Sequence, residues 1–200
     1  MKNTDLESYI SNLLKISVFK DYAPNGLQVE GKTEIKTIVT GVTASQALID
    51  EAIRLQADAL LVHHGYFWPG ESPSLKGMKG QRIRSLIKND INLLAYHLPL
   101  DAHLHLGNNA QLGKQLGLTG ITPIAPDDPE CLVFHGYLPE PMLVSEFTAH
   151  IANVLVRMPL VSHEPSQKIQ HIAWCTGGAQ GYLQQAIDYG IDAYITGEVS

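Results

Sequence analysis

"IKTIVTGVTASQALIDEAIRLQADALLVHHG", residues 35–65, is the stretch from which the fold can be read. IKTIVTGVT reads as a strand. ASQALIDEAIRLQ offers Ala47, Leu48, Ala52, Ile53 and Leu55 to one side of a helix, and ADALLVHHG is a continuously apolar run of strand length. Strand, helix and strand at these lengths make a βαβ unit with parallel strands. The pattern returns 134 positions further on, in "IQHIAWCTGGAQGYLQQAIDYGIDAYITGEV", residues 169–199. Ile35, Ile38, Gln46, Ala52, Ile53, Asp58 and Ala59 fall on Ile169, Ile172, Gln180, Ala186, Ile187, Asp192 and Ala193. The expected fold class is therefore α/β: two similar α/β domains related by an internal repeat, with mainly parallel sheets. Pro and Asp cluster in "TPIAPDDPE", residues 122–130, which sets the expected domains at 1–125 and 126–200.

Ahead of the repeat, "TDLESYISNLLKI" reads as a helix with Thr4 as N-cap and Glu7 closing a capping box. After it, "QRIRSLIKND" reads as a helix and "INLLAYHLPLDAH" as a strand running into a polar loop. Fourteen basic against twenty acidic residues give a net charge of −6, and no Lys/Arg-rich run tracks a phosphate backbone, so duplex nucleic acid is not the expected partner. A small-molecule substrate, a nucleotide included, remains open. Cys131 and Cys175 stand too far apart for a CxxC metal site and read as buried structural residues of a protein in a reducing compartment. With neither a signal-peptide core nor an apolar run of membrane-spanning length, the expected location is the cytoplasm.

Two adjacent histidines within a strand face opposite ways, but at its last residues the backbone turns, and His63 and His64 can reach one cleft. The plainer alternative packs them against Tyr66, Phe67 or Trp68. "YHLPLDAHLHLGNN", residues 96–109, adds His97, Asp101, His103 and His105 at the end of the next expected strand, where Pro99 argues against a helix. Imidazole with carboxylate suits zinc, nickel, manganese or iron, and paired ions of this kind serve hydrolysis by activating water and clamping a phosphoryl or carbonyl oxygen. His97 could instead orient a ligand by hydrogen bonding, while His103 and His105 read as solvated loop residues. His135, His150, His163 and His171 read as structural. In the repeat His63 and His64 face Gly197 and Glu198. "CTGGAQG" could cradle an anion but lacks the spacing of a phosphate loop, and its counterpart "GVTASQA" favours tight turns with Thr or Ser capping each helix. Asn25-Gly26 reads as a turn.

Taken in order, "NGLQVEG" (25–31), "VHHG" (62–65), "HLPLDAHLHLGNN" (97–109) and "TGE" (196–198) resemble the motifs of the GTP cyclohydrolase I type 2 homologues, the Nif-three-like proteins, and most of all their short bacterial members. The resemblance implies a Nif-three-like fold of two α/β domains, a dinuclear centre of divalent ions in the cleft between them, and a toroidal homohexamer. It implies that His63, His64 and Asp101 bind metal and that His97 is catalytic or orients a ligand. Family members continue past the position of Ser200 with a histidine and a glutamate, four residues apart, that complete the centre. The expectation is of a chain lacking that segment, with a half-built site in which Glu198 is at best a substitute. The expected function is metal-dependent hydrolysis of a small nucleotide-like or phosphorylated substrate. The family name suggests ring-opening of GTP, although no guanine-reading pattern stands in this sequence. The alternatives are a non-catalytic metal-binding scaffold or regulatory protein, and a nucleotide-binding module resting on "CTGGAQG".

Overall fold

Residues 1–162 and 166–199 are described by a computed structural model, in which the expected repeat appears as backbone pairing. His163 lies outside the described residues. The chain divides into two units, Met1–Leu100 and Asp101–Ser200. The first holds α1 (Asn3–Leu13), β1 (Gly26–Val29), β2 (Ile38–Thr43), α2 (Gln46–Arg54), β3 (Ala59–His64), α3 (Gly77–Lys88) and β4 (Asn92–Ala95). The short α4 (Leu98–Ala102) runs across the division. The second holds α5 (Asn108–Gln115), β5 (Thr119–Pro123), β6 (Phe134–Leu143), α6 (Val144–Leu155), β7 (Lys168–Cys175), α7 (Leu183–Asp188) and β8 (Ala193–Thr196). The division thus precedes the expected boundary at residue 125. The reason is pairing: β5 is hydrogen-bonded to β6, and Ala110 of α5 packs with Phe134 and Trp174 in one core.

The strand orders are β1-β4-β3-β2 and β5-β6-β7-β8. β2 and β3 run parallel with Ile38 opposite Ala59, and β7 and β8 run parallel with Ile172 opposite Ala193, the same register displaced by the repeat. One carboxylate in each unit explains the fidelity. Asp58 Oδ2 accepts from the N–H groups of Lys36 and Thr37 (2.9 and 3.0 Å), and Asp192 Oδ2 accepts from those of Gln170 and His171 (2.9 and 2.8 Å). Each aspartate stands just before the second strand of its βαβ repeat, β3 or β8, and ties down the start of the first, β2 or β7.

The expectation of mainly parallel sheets holds for the first unit, where only β1 is antiparallel to its neighbour. It fails for the second, where β5–β6 and β6–β7 are both antiparallel. The connection from β6 to β7 carries α6 but returns beside its own start, with Leu143 opposite Lys168, so it closes a hairpin instead of crossing the sheet.

Alternation along the central strands fills two faces of each sheet. Leu60, Val62, Leu93 and Ala95 pack with Ile49 and Ala52 of α2 and Ile83 and Leu86 of α3, while Ala59, Leu94 and Tyr96 pack with Leu6 and Leu14. In the second unit Ile172 and Trp174 meet Phe147 and Ile151 of α6, and Ala173 and Cys175 meet Ala186 of α7. The helix expected over residues 4–16 is present as α1 and ends at Leu13, but its capping box is not formed. Lys2 is the N-cap, and Glu7 Oε1 instead accepts from the Leu27 N–H at 2.8 Å, clamping α1 to β1.

Candidate metal centre

His63 and His64 are the last residues of β3, where Thr43 of β2 is still in register with His64. Their rings do not diverge: the centroids lie 4.4 Å apart, and the His97 ring is 5.0 Å from His63 and 5.7 Å from His64. One nitrogen from each of the three lies within 4.8 Å of the others, a group that could hold a metal ion. His63 and His64 are half-buried, and His97 is buried.

Hydrogen bonds to the far side of each ring decide what it presents. His63 Nδ1 is 3.0 Å from the Tyr96 carbonyl oxygen, which can only accept, so Nδ1 carries the proton and the lone pair sits on Nε2. His64 Nδ1 meets Thr43 Oγ1 at 3.3 Å. His97 Nδ1 meets Asp21 Oδ1 at 3.0 Å. Asp21 is a saturated acceptor. Oδ1 also takes the Ala23 N–H at 3.0 Å, and Oδ2 takes the Leu98 N–H and the Asn25 amide, both at 2.9 Å. Burial pushes its carboxyl up, but the bonds from His97, Ala23, Asn25 and Leu98 together outweigh burial and hold it at about 2. An ionised Asp21 makes His97 Nδ1 a donor and leaves the lone pair on Nε2. Asn25 completes the mount, its Oδ1 accepting from the His97 N–H at 2.7 Å. The Asn25-Gly26 stretch is therefore more than a turn.

Asp101 lies on α4, which overturns the expectation that Pro99 keeps this stretch from being helical. Pro99 occupies the second position of the helix, where a missing N–H leaves no helical bond unmade. In the second unit Asp101 Oδ1 accepts from Asn108 Nδ2 at 2.7 Å and from Thr176 Oγ1 at 3.3 Å. Asn109, fully buried, donates to the carbonyls of Asp101 (3.2 Å) and Leu132 (3.0 Å) and accepts from the Thr176 N–H (2.8 Å). Thr176 of "CTGG" thus serves Asp101, and α7 begins later, without the expected side-chain cap. Ser45 does cap α2, accepting from the Leu48 N–H at 3.3 Å. Glu198 lies against Gly178, its Oε1 3.0 Å from where a Cβ there would stand.

Among the described residues, other histidines have local roles. His103 Nδ1 accepts from the His105 and Leu106 N–H groups, and His150 Nε2 meets the Leu116 carbonyl. His135 Nδ1 lies 2.9 Å from His171 Nε2, and burial together with the neighbouring His171 lowers the His135 pKa. Both cysteines are buried, and burial, with Asp101 and Cys131 adding to it, pushes the Cys175 thiol up to about 12. No described helix is long and apolar enough to cross a membrane.

The family model for Duf34/NIF3 (NGG1p interacting factor 3) matches residues 1–200. The chain belongs to the Duf34/NIF3 family. Its curated relatives include a GTP cyclohydrolase 1 type 2 homolog of Pseudomonas aeruginosa, 56% identical over 90% of this chain and 71% of the relative. A protein of the same name from Escherichia coli K12 is 54% identical over the whole of this chain and 79% of the relative. Among solved structures, one described as protein ybgI of unknown function superposes with a TM-score of 0.93 at 54% identity, covering all of this chain and 79% of that one. The Nif-three-like α/β fold expected from the motifs is therefore the observed one. Asp21, Asn25, Asn108, Asn109 and Thr176 are the residues that sequence reasoning missed. Asn25, Asn108 and Asn109 stood inside the quoted motifs without a role, and the Asx turn of Asp21 onto Ala23 was the local signal for Asp21.

Proposed function

We propose that this Duf34/NIF3 protein is a metal-dependent hydrolase of a small, nucleotide-like or phosphorylated substrate. The observation that carries the reading is the convergence of three imidazoles, one of them backed by an ionised, saturated aspartate. The donor set fits a borderline divalent ion: His63 presents Nε2, fixed by the Tyr96 carbonyl, and His64 stands beside it. His63, His64 and Asp101 are the proposed ligands for two divalent ions of zinc, iron, manganese or nickel. A divalent ion supplies Lewis acidity and lowers the pKa of nearby water. His97 is the proposed catalytic residue. Its Nε2 takes the proton of the attacking water, and Asp21 holds the ring in the right tautomer and stabilises the imidazolium that results. The name that the relatives share agrees with a hydrolytic reading. A homohexamer in the cytoplasm completes the proposal.

The test is metal content by elemental analysis alongside hydrolysis of p-nitrophenyl phosphate and nucleoside phosphates with added Mn²⁺ or Zn²⁺. His63→Ala and Asp101→Ala should lose metal and turnover together, while His97→Gln should keep metal and lose turnover by about 10²–10⁴-fold. Turnover that survives chelation, or survives Asp101→Ala, refutes the assignment. A second reading is favoured by His97 lying within ligand distance of the other two imidazoles. If His97→Gln empties the site, the three histidines hold a structural ion and the protein is a metal-binding scaffold.

A further inference from the structure

Beside the imidazoles stand two aromatic rings that the hydrolytic reading leaves unused. Trp68 lies 5.1 Å from the His97 ring at 89° and 5.7 Å from the His64 ring at 64°. Tyr22 lies 5.1 Å from His97 at 70° and 6.1 Å from Trp68. Core packing does not account for them. Tyr22 is 60% exposed and Trp68 half-buried, whereas the adjacent Tyr66 is buried in the core and donates its hydroxyl to the Ala44 carbonyl at 2.7 Å. Between Tyr66 and Trp68 the backbone is strained: Phe67 takes φ of +67°, a left-handed conformation costly for a bulky side chain. The preceding residues give it no slack. A Cβ at Gly65 would overlap Gln28, whose Oε1 accepts from the Tyr66 N–H at 2.7 Å. The Trp68 indole N–H then folds back onto the Gly65 carbonyl at 3.2 Å. A tryptophan carried out of the core by a strained turn and laid against two imidazoles suits recognition of a ring. Filling a core requires neither the strain nor the exposure.

We infer that Tyr22 and Trp68 form an aromatic shelf that binds a planar, unsaturated ring of the substrate beside His64 and His97. The inference rests on the reading of the imidazoles as the reaction centre and narrows the substrate class to compounds carrying a planar heterocycle. At 6.1 Å and 43° the two shelf rings already touch, so a bound ring takes an outer face and not the gap between them. Stacking of this kind tolerates many rings, because every planar unsaturated ring has a π face.

Two probes that share sugar and phosphate and differ only in the ring, adenosine 5′-monophosphate and ribose 5-phosphate, test the inference on metal-free protein. Trp68 and Trp174 are the two tryptophans, and Trp174 is fully buried, so quenching of emission on titration reports Trp68. The nucleotide should quench saturably and bind about tenfold more tightly than the ring-less probe by calorimetry. Trp68→Leu and Tyr22→Leu should each abolish most of that preference, and Trp68→Phe should retain it, with Trp174 emission and circular dichroism confirming that the variants are folded. Equal binding of the two probes, binding of neither, or a preference that survives Trp68→Leu and Tyr22→Leu overturns the shelf. Metal uptake after the same protein is reloaded with Mn²⁺ or Zn²⁺ separates the two readings: an intact shelf on a protein that takes up no metal refutes the hydrolase and not the ring site.

Discussion

Replacing Asp21 with asparagine keeps the side chain's shape and removes one of its two acceptor oxygens. Each oxygen now receives two hydrogen bonds, from Ala23 and His97 on one side and from Asn25 and Leu98 on the other. Whichever way the new amide turns, it points an NH₂ group at two donors. A hydrogen bond to a charged acceptor contributes about 1.5–3 kcal/mol, so losing at least one outright and reducing the rest to bonds with a neutral amide should cost about 3 kcal/mol. For a chain of this length that lowers the melting temperature by about 10 °C. The less costly orientation sets the NH₂ against His97 Nδ1, which can accept if its proton moves to Nε2. The loss of stability is then accompanied by a reversed tautomer, and His97 presents a donor where the proposed reaction needs an acceptor. Urea unfolding of the metal-free protein measures the first effect, and ¹⁵N NMR of the imidazole nitrogens reads the second. A variant as stable as the parent to within about 0.5 kcal/mol, or a His97 that keeps its proton on Nδ1 with the stability loss fully present, would show that Asp21 does not set the His97 tautomer.

Asp58 is held below the usual aspartate range by the Lys36 N–H first, then the Lys32 ammonium and the Thr37 N–H, with burial opposing them. Its stabilising contribution should be present above the ordinary value of about 3.9 and be lost as pH falls through its lower folded value. Asp58→Ala should cost about 3 kcal/mol at neutral pH and flatten that part of the profile; parallel urea midpoints for parent and variant between pH 2 and 6 would count against it. Gly113→Ala would drive a methyl group into Trp174, with Ile121 Cδ1 at 2.9 Å closing the way out. Despite alanine's better helix propensity it should destabilise by about 2 kcal/mol, read by calorimetry. Asn109→Ala would strand the half-buried Thr176 N–H and Leu132 carbonyl and should cost about 2 kcal/mol, with the Trp174 emission shifting as its anchor on the Asn109 carbonyl loosens.

What could be read along the chain is what depends on near neighbours. The βαβ period of residues 35–65, its return near the other end, and two histidines at a strand terminus follow from side-chain alternation and helix periodicity, and the sheets bear them out. Even here local signals could be outbid. Glu7 prefers the Leu27 N–H across the fold to a box within its own helix, and Pro99 is welcome in a helix because it stands in the first turn. Only tertiary structure decided the rest. The direction of β6 depends on where α6 returns the chain, and no residue within the strand records that. The mount of His97 is assembled from Asp21 and Asn25, more than seventy positions away, and that of Asp101 reaches as far as Thr176. A hydrogen bond needs an atom at about 3 Å but sets no limit on the length of chain between donor and acceptor. The residues that bear chemistry can therefore be named from the sequence, while the groups that set their tautomer and orientation become visible only when the sheets close.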